Sequence, residues 1–272
     1  MTEDFAALEK REWSDPDVAQ NYAKAFARAS DMAVPVLVHE CGAQTGRKIL
    51  DLCCGQGNVT AGLLATGAEV TALDFSPAML HMARKAAPAA QFIEGNAMAT
   101  GLPDESFDGV TIGFGMPHLP DPPAAMAEAA RLTQPGGRFA YSVWSGEEPT
   151  SALAIVFGAI AQHGDPSIAL PPGPGATDFA DPDRAFPALQ AAGFVEPRLT
   201  RVDSYWQADR ADAPYEFFFK GTARGGALLR PQPPDRAKAI RTAVSEAIIA
   251  AHGSGPNWTI PIPSVVISAT RT

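Results

Sequence analysis

Lys48-Ile49-Leu50-Asp51-Leu52-Cys53-Cys54-Gly55-Gln56-Gly57-Asn58 is an apolar run that stops at a glycine-rich turn, and a helix-compatible segment, 58–66, follows it. The order reads as a strand, a turn that lets a ligand approach the backbone, and a helix whose N-terminal amides face that ligand. A second apolar run, 69–73, leads into Asp74, which lies 19 residues beyond Gly55. A carboxylate that grips ribose hydroxyls beside such a turn is expected about 20 residues downstream. Turn and acid together predict a cofactor that contains a nucleoside.

Further along the chain the pattern recurs: a helix over 77–87, strands over 90–94 and 107–113, a helix over 122–132 and a strand over 137–144. We read this as βα repeated four times and closed by a fifth strand, a parallel sheet wrapped on both faces. Ser76-Pro77, Asp121-Pro122 and Asp181-Pro182 each set a capping side chain before a proline at the first helical position. Beyond 144 the spacing predicts helices over 151–162 and 182–192, and a strand over 194–206. Two helical segments, 212–223 and 234–251, and a last apolar stretch, 258–268, complete the chain. Residues 1–45, with apolar positions at helical spacing, predict a pair of helices before the first strand. The division expected is an N-terminal helical cap (1–45), a cofactor-binding core (46–145), and a remainder (146–272) that includes an insertion near 207–256.

The turn also bears on which nucleoside binds. A dinucleotide fingerprint needs a small residue three positions after its second glycine, where this chain carries Thr60, and Asp51 before the glycines would repel a pyrophosphate. The same carboxylate suits an ammonium group, so the cofactor is expected to be zwitterionic. Local hydrogen bonding within the turn is the other reading of Asp51.

At this point the residues resemble the class I S-adenosylmethionine-dependent methyltransferases, in the small-molecule branch with the ubiquinone and menaquinone methyltransferases. The likeness runs through ILDLCCGQGN, VTALDFSPAML, FIEGNAMATGLPDESFDGVTIGFGMPHLPDP and RLTQPGGRFAYSVW, most of residues 46–145. It implies an α/β fold: a doubly wound, Rossmann-like, seven-stranded sheet with N-terminal helices and a helical insertion near the C-terminus. It also implies S-adenosyl-L-methionine as cofactor and S-adenosyl-L-homocysteine as product. Asp51, Gly55 and Gly57 would lie along the methionine part, and Asp74 would hold the ribose diol. By the same likeness Phe75 and Met79 flank ribose and adenine, Asn96 and Ala97 face the adenine edge, Gly113 and Phe114 close the site, and Tyr22 covers the cofactor from an N-terminal helix. Two positions depart from the family: Gly95-Asn96-Ala97 stands where Gly-Asp-Ala is usual, and Cys54 where a smaller residue is usual before the first glycine. A neutral amide then accepts from the adenine amino group in place of a charged one.

His118, just past the fourth strand, is a candidate general base, with turn fixing as its other role. Cys53 and Cys54 are adjacent, and Cys41 is the remaining cysteine; their spacing gives no metal set. The insertion holds Tyr215, Phe217, Phe218 and Phe219 between Trp206 and Trp258, which suits a lid over an apolar or aromatic acceptor; a homodimer contact is the alternative use of that surface.

The 272 residues carry 21 Lys+Arg against 30 Asp+Glu, a net charge of −9 that argues against nucleic acid as a partner. The start MTEDFAALEKREW lacks a basic segment followed by an apolar one, so no secretion signal, no membrane span and a cytoplasmic location are expected. The expected activity is methyl transfer to a small molecule. A nicotinamide-dependent oxidoreductase, or an S-adenosylmethionine-binding enzyme of non-methylating chemistry, are the alternatives.

Overall fold

The computed structural model describes residues 4–25 and 27–272. Its strands are β1 (Lys48–Leu52), β2 (Glu69–Asp74), β3 (Gln91–Glu94), β4 (Phe107–Gly113), β5 (Thr133–Trp144), β6 (Phe194–Val202), β7 (Tyr205–Ala208), β8 (Trp258–Pro261) and β9 (Ser264–Arg271). Seven form one sheet in the order β3-β2-β1-β4-β5-β9-β6, and β7 pairs with β8 in a separate two-stranded sheet. In the large sheet β1 to β5 pair in parallel, and β9 runs antiparallel to both β5 and β6.

The chain falls into two compact units. The first contains the large sheet and comprises Ser30–Ser145, Gly173–Val202 and Ser264–Thr272. Successive residues of its strands point to opposite faces: Leu50, Leu52, Phe139 and Tyr141 belong to one apolar cluster, Ile49 and Ala140 to another. Burial on both faces explains why these strands read as unbroken apolar runs. Helices Val34–Glu40 and Asn58–Leu64 supply Leu37, Val59 and Leu63 to one face, and Pro122–Leu132 and Pro182–Ala191 supply Met126, Ala129 and Leu189 to the other. The expected caps are present. Ser76 Oγ accepts from Met79 N at 3.2 Å, Asp121 Oδ1 from Ala124 N at 3.1 Å, and Asp181 Oδ1 from Asp183 N at 2.9 Å.

The second unit gathers the described residues up to Ala29, Gly146–Pro172 and Asp203–Pro263. It packs helices Phe5–Ser14, Pro16–Ala25, Ala152–His163, Ala213–Gly221, Ala223–Leu229 and Pro234–His252 with the antiparallel β7–β8 pair. This grouping cuts the chain differently from a division by chain order, since residues 30–45 pack with the large sheet and 146–172 with the helices. An almost wholly buried ion pair lies inside it: Arg224 Nε donates to Glu9 Oε1 at 3.1 Å, while Trp13 Nε1 donates to Glu9 Oε2 at 2.9 Å.

Three local expectations are corrected. No helix joins β3 to β4; residues 95–106 cross over as a loop with an isolated bridge between Asn96 and Ala99. The run 194–206 is two strands, β6 and β7, and the run 258–268 is likewise β8 and β9, each divided between the two sheets. Pro261 and Pro263, which lack an amide donor, fall where the second run breaks. The N-terminal pair of helices is four helical segments, Phe5–Ser14, Pro16–Ala25, Ala27–Asp31 and Val34–Glu40. Of the segment's apolar positions, Phe26 lies outside the described residues.

Arg224→Met leaves the Glu9 carboxylate buried without its partner and is expected to cost about 3–5 kcal/mol, measured by urea unfolding. Adding Glu9→Gln should return most of that loss. A single variant as stable as the wild type would show that the pair does not bear on the unit's stability.

Candidate active site

Four parallel strands end at one edge of the large sheet, and residues singled out in the sequence follow each end: Asp51 and Gly55 at β1, Asp74 and Phe75 at β2, Asn96 and Ala97 after β3, Gly113 and Phe114 at β4. The chain runs outward from β1 to β2 to β3, then returns to place β4 on the other side of β1. Connections on either side of that reversal leave in opposite directions, and in open α/β sheets ligands bind beyond the carboxyl ends of the strands at such a switch point.

Asp74 organises this edge. Its Oδ2 accepts from Gly55 N at 2.9 Å and its Oδ1 from Ser76 N at 2.8 Å, which ties the β1 turn to the start of helix Pro77–Ala86. Burial raises its pKa above the usual carboxylate range, opposed by the amides of Ser76, Gly55 and Phe75 and by the charge of His118. A carboxylate has about four acceptor positions, so these donors leave part of its capacity for a ligand. Gly55 takes φ +53°, and a Cβ there would meet nothing within 4 Å, so its outer side is open. Gly57 is different: at φ +88° a Cβ would stand 2.9 Å from Ala83 Cα. Its bareness serves the packing of one helix on the next.

Asp51 is fully buried, and both its oxygens are occupied. Thr60 Oγ1 donates to Oδ2 at 2.6 Å and Thr111 Oγ1 to Oδ1 at 3.1 Å. Burial pushes this carboxyl up to about 7; the two hydroxyls oppose the shift and the charge of Asp74 adds to it. Local hydrogen bonding, one of the two readings of Asp51, is therefore present. Thr60, noticed in the sequence only as a misfit to a dinucleotide turn, is its partner. Thr111 was missed; a lone threonine in the apolar strand Val110-Thr111-Ile112 was the available signal.

Phe114 takes φ +55° and stacks on Trp144 with ring centroids 4.1 Å apart. Gly113 has no room for a side chain, since a Cβ would stand 2.7 Å from Val59 Cγ2. His118 is half-buried in the short turn Met116–His118, in the loop that leaves β4. Met79 and Ala97 are buried, Phe75 is half-buried, and Asn96 is exposed with its Oδ1 accepting from Met98 N at 3.0 Å. Tyr22 belongs to the helical unit, where its ring lies 5.3 Å from Trp13 and 6.4 Å from Phe217. The thiols of Cys53 and Cys54 are both pushed well up by burial and by the charges of Asp74 and Asp51, which disfavours the reactive thiolate. Among the described residues no group of His, Cys, Asp and Glu is arranged to hold a metal ion, and no helix is long and apolar enough to cross a membrane.

Residues 50–141 match the family described as a methyltransferase domain. The chain is 38% identical over 110 residues to a demethylmenaquinone methyltransferase of Renibacterium salmoninarum, a span of 40% of this chain and 46% of that protein. It is 44% identical over 102 residues to the enzyme of that name from Geobacillus stearothermophilus, covering 35% and 44%. The chain spans about half the length of the curated relatives it matches. Among solved structures it resembles a Haemonchus contortus phosphoethanolamine N-methyltransferase in complex with phosphomonomethylethanolamine and S-adenosylhomocysteine (TM-score 0.58, 13% identity, 99% of this chain and 60% of that one). It resembles the cyclase SpnF equally well (TM-score 0.59, 16% identity, 99% and 97%). The fold is thus the Rossmann-like one that the motifs implied.

Asp51 makes stability depend on pH with a definite sign. An acid whose folded pKa is raised holds an extra proton in the folded state between its unfolded and folded values, here from about 4 to about 7. Its stabilising contribution is complete below that window and is lost as pH rises through it. Asp51→Asn should therefore match the wild type most closely near pH 4, gain on it up to pH 7 and hold a constant advantage above. A difference in Tm that is the same at every pH would refute the raised pKa.

Proposed function

We propose that this chain, whose residues 50–141 carry a methyltransferase domain, moves the methyl group of S-adenosyl-L-methionine onto a small apolar or aromatic acceptor. The observation that carries the reading is the Asp74 carboxylate, buried at the end of β2 and braced by Gly55 N and Ser76 N, next to a Gly55 turn whose outer side is open. That arrangement suits a ribose diol. The buried carboxyl of Asp51, pushed up to about 7, would ionise more readily beside a cationic group than beside a pyrophosphate, which favours a cofactor with cationic groups. The nicotinamide reading loses support on the same ground.

When bound, S-adenosylmethionine supplies a methyl group already activated on a sulfonium. The chain's own tasks are then to hold the adenosyl part, to align the acceptor and to exclude water. Asp74 would take the ribose hydroxyls, Gly55 would admit the cofactor to the backbone, and Phe114 would bound the crevice at β4. His118 supports the charge of the Asp74 carboxylate, a role that needs no proton transfer to the substrate. The relatives' names make a menaquinone-type ring the first acceptor to try.

Two measurements test the reading. Asp74→Ala is expected to weaken S-adenosylhomocysteine about tenfold to a hundredfold by calorimetry, as charge-assisted hydrogen bonds to the ribose are lost; unchanged affinity would remove Asp74 from the site. Incubation with S-adenosylmethionine and quinone or phenol acceptors is expected to release S-adenosylhomocysteine. Tight binding with no release across such a set would favour non-methylating chemistry. For His118→Ala a fall in turnover well under a hundredfold is expected, whereas a general base contributes roughly 10²- to 10⁴-fold.

A further inference from the structure

Strand β5 reads Phe139-Ala140-Tyr141-Ser142-Val143-Trp144, and Ser142 is the single hydroxyl-bearing aliphatic side chain in that apolar run. It is 1% exposed and sits in the middle of the sheet, paired with Gly113 of β4 on one side and Val266 of β9 on the other. Its hydroxyl has a specific use. The backbone N–H of Phe114, the first residue beyond β4, donates both to the Ser142 carbonyl and to Ser142 Oγ, each at 3.1 Å.

The bonded residue is conformationally unusual. Phe114 has φ +55°, a region that a bulky side chain enters rarely and only when its surroundings impose it. On the adjacent strand Cys53, the first residue beyond β1, also has φ +55°. The two turns touch, because a Cβ on Gly115 would stand 2.6 Å from Cys53 Cβ. Hence the course of the chain after β4 is fixed at three points: by Ser142 on the Phe114 amide, by Trp144 on the Phe114 ring, and by Cys53 against Gly115. Three residues beyond Gly115 that loop reaches His118.

We propose that Ser142 is a positioning residue, whose hydroxyl holds Phe114 in its left-handed conformation and thereby sets the His118 loop against the Gly55 turn. It touches no ligand. The consequence for cofactor affinity rests on the methyltransferase reading, while the effect on the loop does not.

Hydrogen exchange of the ligand-free protein and calorimetry with S-adenosylhomocysteine test the two parts separately. Ser142→Ala is expected to raise amide exchange over residues 113–121, to leave β1 and β9 protected, and to weaken S-adenosylhomocysteine about fivefold, the worth of one neutral hydrogen bond. Ser142→Thr, which keeps the hydroxyl, should restore both. Unchanged exchange in the loop, or exchange that rises across β9 as well and is not restored by threonine, would overturn the proposal. If the wild type does not bind S-adenosylhomocysteine, the functional reading fails and the exchange result still decides the role of Ser142. Phe114→Gly provides a second background, since glycine adopts this φ without strain. There the serine-to-alanine change should leave loop exchange unaltered, and a rise as large as in the presence of Phe114 would also overturn the proposal.

Discussion

The two amide hydrogen bonds to Asp74 are the constraint on which the carboxyl edge of the sheet depends. One reaches back to the turn after β1, the other forward to the first turn of helix Pro77–Ala86. Burial of a carboxylate is unfavourable by itself, and here it raises the pKa. Two backbone donors and the nearby His118 charge offset that cost. The arrangement spends part of the carboxylate's acceptor capacity on the fold and keeps part for a ligand. A substitution at Asp74 therefore acts on loop geometry and on recognition together.

Asp51 shows how a similar residue on the neighbouring strand takes another role. Both its oxygens are occupied by threonine hydroxyls and none of its surface is exposed. In the proposed site it would act on a ligand through its field rather than by direct contact. A cationic ligand nearby would favour its ionised form, and an anionic one its protonated form. On the proposed reading a sulfonium cofactor would be favoured over a dinucleotide by charge as well as by the shape of the glycine turn.

The central βα pattern was legible in the sequence because β1, β4 and β5 are largely buried on both faces and three of the helices begin with a side-chain cap. Ser76, Asp121 and Asp181 mark helix starts that the structure reproduces to the residue. What was not legible depends on tertiary context. The count of four βα units was too high by one, since residues 95–106 join β3 to β4 without a helix and strand spacing alone does not tell such a crossover from a helical one. The runs 194–206 and 258–268 were each continuous by composition and are divided between two sheets, because pairing partners decide where a strand ends. At the candidate site, the spacing of Gly55 and Asp74 corresponds to a hydrogen bond from the Gly55 amide to the Asp74 carboxylate. The partners of Asp51 were not found, as Thr60 and Thr111 lie on different elements and meet only through the fold.

Left-handed residues supply the last constraint. Cys53 and Phe114 occupy this region at the ends of two adjacent parallel strands, where glycine would adopt it without strain. Side chains are retained there because each one packs: the Cys53 Cβ lies against Gly115, and the Phe114 ring lies on Trp144. The strain is therefore offset by contacts that glycine cannot make, and those contacts join the turn after β1 to the turn after β4. A crevice whose two walls are coupled in this way has few alternative conformations. Such preorganisation is what a site needs when its chemistry consists mainly of holding two partners in line.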